Sequence, residues 1–89
     1  MKVKIELFGA SRDFSDKNSL DFEVGNNSTI KDIREKLNDY LDRKFEGNEN
    51  YKKIVNSSAF CSADNNIISD NYKITNNEKI AIIPPIGGG

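Results

Sequence analysis

The stretch Ile82-Ile83-Pro84-Pro85-Ile86-Gly87-Gly88-Gly89 is where residue types and spacing suggest chemistry. Pro84 and Pro85 lack N–H groups, so a β-ladder must stop there, and their fixed φ favours a stiff, extended exit. Ile86 offers one apolar handle. From Gly87 to Gly89 there is no side chain, so the backbone can pass a channel too narrow for a Cβ and approach a partner's nucleotide closely. Four extended residues reach on the order of 13 Å, enough to enter a partner's active site. The reactive group is the α-carboxylate of Gly89. It is a poor electrophile until activated, for example as an acyl-adenylate, and can then become a thiocarboxylate, a thioester or an amide. Gly-Gly taken alone equally fits an inert tail; the preceding apolar run and Pro-Pro stop distinguish this one.

Little else in the chain competes. Cys61 is the single cysteine, and the chain has no histidine to activate it. It reads as a half-buried strand thiol. The same absences remove the usual zinc and transition-metal ligand sets.

A domain must present those terminal residues. The chain has 89 residues and 36% hydrophobic content, which implies one domain with one modest core. A net charge of -1 argues against a nucleic-acid surface or an anionic membrane as partner. Its apolar runs are too short for a transmembrane helix. Met1 to Glu6 alternates charged and apolar residues, unlike a signal peptide. A cytoplasmic protein is the expectation.

Val3, Ile5 and Leu7 alternate with Lys2, Lys4 and Glu6, which predicts a strand with one buried face. Gly9 to Asp13 reads as a loop. Leu20, Phe22 and Val24 alternate in a second strand, closed by Gly25-Asn26-Asn27-Ser28 and paired antiparallel with the first. The period then changes. Ile30, Ile33, Leu37, Tyr40 and Leu41 predict a helix from Ile30 to Arg43, with Thr29 as N-cap and Asp32 favouring its positive end. Phe45 to Asn50 reads as a polar connector, and Tyr51, Ile54 and Val55 as a short helical turn. Ser58 to Ala63 is a third strand, Ile67-Ile68 a short return strand, Asn71 to Ile74 irregular, and Lys79 to Ile83 the last strand. The first and last strands are strongly apolar and belong side by side in the centre. This order fits an α+β, ubiquitin-like β-grasp: a mixed sheet with one main helix on one face. Residues 1–85 form that domain and residues 86–89 an extended tail.

Parity then assigns the faces. With Val3, Ile5 and Leu7 toward the helix, Lys2, Lys4, Glu6 and Phe8 face away. With Ile80 and Ile82 inward, Ala81 and Ile83 face outward. Phe8 and Ile83 are thus candidates for an exposed apolar patch beside the tail, and such patches often mark partner sites.

The run from Asn76 to Gly89 resembles the end of the molybdopterin synthase small subunit, a ubiquitin-like sulfur carrier: a turn, an acidic residue, an apolar strand, Pro-Pro, an aliphatic residue, a variable residue and Gly-Gly. Val3 to Asp13 is similar to that family's first strand and loop, and the helix start from Thr29 to Leu37 also fits. The chain departs from the pattern at Ile82 and Ile83, where the family often has aromatics, at the third glycine Gly87, and in a longer, more polar connector from Arg43 to Ser58.

The resemblance implies a mechanism and partners. A ubiquitin-activating-type enzyme uses ATP and magnesium to adenylate Gly89, and a sulfur donor protein converts the adenylate to a thiocarboxylate. The Gly88-Gly89 end then enters the molybdopterin synthase large subunit, where sulfur passes to a pterin precursor in molybdenum cofactor biosynthesis. Two small and two large subunits form the usual heterotetramer. This chain would bind no cofactor and supply no acid or base. Phe8, Ile83, Pro84, Pro85, Ile86 and Gly87 would dock, with Arg12 as a polar rim contact. Rival expectations are a carrier for thiamine, cysteine or a tungsten cofactor, a protein modifier joined through Gly89, and a non-covalent β-grasp binding module.

Overall fold

In the computed structural model, which describes residues 1–85, the alternating N-terminus forms strand β1, Lys2–Leu7. It pairs antiparallel with β2, Ser19–Glu23, with Ile5 opposite Leu20 and Val3 opposite Phe22. A short β3, Ser28–Thr29, leads into helix α1, Ile30–Phe45. Helix α2, Glu49–Ser57, follows, then β4, Ala59–Cys61, β5, Ile67–Ile68, β6, Lys73–Ile74, and β7, Glu78–Ile83. The main sheet has the order β2-β1-β7-β4-β5, and β3 pairs with β6 in a separate two-stranded ladder. β1 and β7 are neighbours within the sheet, as the apolar character of both strands predicts, and they run parallel. The fold is the ubiquitin-like β-grasp.

The start of α1 is set by a reciprocal cap. Asp32 N–H donates to Thr29 Oγ1 at 3.4 Å, and Thr29 N–H donates to Asp32 Oδ2 at 2.9 Å. Glu46, with φ of 54°, ends the helix in the left-handed region. Ile30, Ile33, Leu37 and Leu41 recur at helical spacing and are all fully buried. Each contributes roughly 2 kcal/mol of gross burial energy. They pack against Val3, Ile5, Ile80, Ile82 and Phe60 from the sheet.

Four expectations need correction. Gly9–Phe14 is a 3-10 helix, where a loop was expected. The connector from Phe45 to Asn50 is mostly helix end and helix start: α1 runs to Phe45, and Asn48 caps α2 by accepting from Tyr51 N–H at 3.1 Å. α2 is therefore nine residues long, more than the short turn expected, because Val55 reaches the core and Tyr51 packs on Phe14 and Phe45. Finally, Lys73–Ile74 is strand β6, where an irregular segment was expected, since it finds Ser28–Thr29 as a distant partner. Close by, Tyr72 OH donates to Glu78 Oε1 at 3.0 Å, which raises the tyrosine above its usual range.

Candidate functional site

The face of the sheet away from the helices is built from the outward residues of five strands. Lys2 and Lys4 are exposed on it, while Val3, Ile5 and Leu7 are buried beneath. On β7 the pattern is the one parity predicts: Ile80 and Ile82 are buried, Ala81 is half-buried and Ile83 is 37% exposed. Strand register continues a row across the face, Glu6 beside Ala81, Ala81 beside Cys61, Cys61 beside Ile67. Phe8, 45% exposed just past the end of β1, lines the same shallow depression of about 420 Å³ as Ala81, Ile83 and Cys61. Lys79 and Glu6 also line it, paired at 3.6 Å. The depression thus has an apolar part, Phe8, Ala81 and Ile83, edged by Ser62, Asn65 and one weak ion pair.

Phe8 is held there by its own backbone. Ser11 is fully buried; its Oγ accepts from Phe8 N–H at 3.0 Å and donates to the Phe8 carbonyl at 2.6 Å. Ser11 N–H donates to the same carbonyl at 3.1 Å. Both polar groups of Phe8 are therefore satisfied within the 3-10 turn, and the ring is left on the surface. Gly9, with φ of +55°, makes the corner, a conformation other residues adopt only under strain.

The structure brings together most of the sequence-predicted docking residues that it describes. Phe8 and Ile83 share the depression, and Arg12 lines a second, smaller one with Phe8, Glu6 and Asn18. Arg12 Nη2 donates to Asn18 Oδ1 at 3.5 Å. Pro85 is exposed. Pro84, expected to dock at the start of a stiff exit, is instead buried, its ring close to Gly9; a Cβ on Gly9 would already touch its Cδ at 3.8 Å. The exit from the sheet is therefore anchored at Pro84, and the next residue, Pro85, is on the surface. Ile86, Gly87, Gly88 and Gly89 lie outside the described residues.

Sequence reasoning missed three contributors. Cys61 and Ile67 belong to the outward row, and period-two counting along β4 and β5 could have placed them. Ser11 carries no pattern in the sequence, because its role depends on the 3-10 turn. Among the described residues no helix is long and apolar enough to cross a membrane, and no cluster of His, Cys, Asp or Glu could hold a metal ion.

The sequence matches the ThiS family over residues 5–89. No curated protein matches it. Among solved structures, a Pyrococcus furiosus protein provisionally named molybdopterin converting factor subunit 1 is similar in fold. Its TM-score is 0.70 at 17% identity, covering 96% of this chain and 98% of that one. Small archaeal modifier protein 1 of Haloferax volcanii gives 0.68 at 12% identity, over 96% and 98% of the two chains. The ubiquitin of Caldiarchaeum subterraneum gives 0.61 at 19% identity, over 100% and 98%.

Proposed function

This chain belongs to the ThiS family, and from that premise we propose that it is a ubiquitin-like sulfur carrier acting as the small subunit of molybdopterin synthase. The observation that carries the reading is the continuity of strand, stop and glycines. β7 runs through the centre of the sheet into Pro84 and Pro85, and the family match continues through Gly87, Gly88 and Gly89.

The steps follow from the chemistry of a carboxylate. An adenylating enzyme joins Gly89 to the AMP part of ATP, and pyrophosphate leaves. A sulfur nucleophile attacks the acyl carbon, AMP leaves, and Gly89 carries a thiocarboxylate. That sulfur then goes to a pterin precursor in the large subunit's site, and hydrolysis returns the carboxylate. The chain's own contribution is recognition and delivery. Phe8, Ala81 and Ile83 offer the apolar surface, Arg12 a rim cation, and the glycines a backbone slim enough for a narrow channel. Pro-Pro and the name given to the Pyrococcus furiosus relative support the pterin branch over other sulfur acceptors.

The Haloferax volcanii relative, named as a modifier protein, supports a second reading, in which activated Gly89 is joined to amines of other proteins. Both readings share the adenylation step and part at the nucleophile. Mass spectrometry separates them after incubation with ATP, magnesium and a ubiquitin-activating-type enzyme of the same organism, with sulfide in one arm and that organism's soluble proteins as amine acceptors in the other. Exchange of one carboxylate oxygen for sulfur at Gly89 supports the carrier. A branched peptide joined to a lysine supports the modifier. An unchanged mass, with an enzyme competent on another carrier, refutes both and leaves a non-covalent module.

A further inference from the structure

A second concavity lies at the root of the tail, on the helix side of the sheet. It holds about 300 Å³ between the 3-10 helix and α2, and is walled by Ala10, Asn50, Lys53, Ile54, Pro84 and Pro85. It shares no residue with the Phe8–Ile83 depression. Its chemistry is lopsided. Ala10, Ile54 and the two prolines make apolar walls, and the prolines have no N–H to offer. Ser57, also at its edge, has its hydroxyl spent on the Lys53 carbonyl at 2.7 Å. One charge remains. Lys53 is exposed and forms no ion pair among the described residues, whereas its neighbour Lys52 is held by Asp42 at 2.7 Å.

Position adds to chemistry. Only four residues follow Pro85, on the order of 13 Å of chain at full extension, so a protein that draws Gly89 into its active site comes within that reach of the root. One side of the root is the Phe8–Ile83 patch, and the other is this groove. We propose that the groove is a second docking surface for the adenylating enzyme, filled by an apolar side chain of that enzyme with an Asp or Glu beside it facing Lys53. The proposal rests on the carrier reading. It divides recognition between two walls: the open face supplies apolar contact, and the groove supplies one apolar anchor and one charge that fixes orientation.

The test is ATP–pyrophosphate exchange with the full chain as the varied substrate and a ubiquitin-activating-type enzyme of the same organism. Lys53→Glu, Lys53→Arg and Ala10→Arg are compared with wild type, with Lys73→Glu on β6 as a control. Lys53 and Ala10 are exposed, and thermal melting checks that the variants remain folded. Lys53→Glu places like charges across the interface and raises KM about tenfold with little change in kcat. Ala10→Arg fills the groove and does the same, while Lys53→Arg and the control keep the wild-type KM. Rising salt raises the wild-type KM and leaves that of Lys53→Glu flat or falling. Wild-type exchange with unchanged KM in both Lys53→Glu and Ala10→Arg overturns the groove and leaves the carrier function standing. No exchange by wild type overturns the carrier function and the groove's part in it together.

Discussion

Replacing Phe8 by alanine removes a ring that is 45% exposed and lies outside the buried core. A phenylalanine side chain offers about 200 Å² to bury. The exposed 45% is then about 90 Å², which at about 25 cal/mol per Å² gives about 2 kcal/mol on full burial by a partner. That corresponds to about a thirtyfold weaker Kd. Folding should feel much less. The backbone contacts to Ser11 survive the change, since both use main-chain groups of Phe8. A loss under about 1 kcal/mol lowers Tm by less than about 8 °C in a domain of this size. The assay pairs a thermal melt with titration calorimetry against the adenylating enzyme, and repeats the titration with the molybdopterin synthase large subunit. A collapse of Tm with unchanged Kd would show that Phe8 serves packing, and would refute the use of strand parity to identify a docking face.

Two further outcomes follow from the core and from the β6–β7 corner. Leu37→Ala opens a cavity at a fully buried position of α1 and costs about 3 kcal/mol, read by denaturant unfolding. Tyr72→Phe removes the hydroxyl that donates to Glu78 and costs about 1 kcal/mol at neutral pH. The tyrosine is raised in the folded state, so the neutral form stabilises the fold. That stability is fully present below the ordinary tyrosine value and is lost as pH rises through the folded one. The gap between Tyr72→Phe and wild type in urea melts should therefore narrow in the alkaline range, and a gap independent of pH would sink the assignment.

Much of this architecture was legible along the chain because its causes are local. Period-two alternation in Lys2 to Leu7 and Glu78 to Ile83 decides which side chains share a face, whatever the strands later pair with. Thr29 and Asp32 announce the start of α1 within four residues, since the cap is closed by neighbours. The β-grasp order and the outward placement of Phe8 and Ile83 follow from these signals.

The remaining features depend on partners far away in sequence. Lys73–Ile74 has no pattern of its own and becomes a strand because Ser28–Thr29 presents an edge. α2 extends from Asn48's cap because Phe14 and Phe45 offer Tyr51 a surface. Pro84 reads from sequence as the start of a stiff exit, yet it is buried in the fold, close to Gly9 across more than seventy residues of chain. The sequence by itself determined the faces, the helix and the glycine end that point to a carrier, because alternation, capping and backbone freedom act between neighbours. Only the tertiary structure decided where that end is clamped and which surfaces flank it, because burial of Pro84 and the groove beside Lys53 exist only once the 3-10 helix, α2 and β7 have packed together.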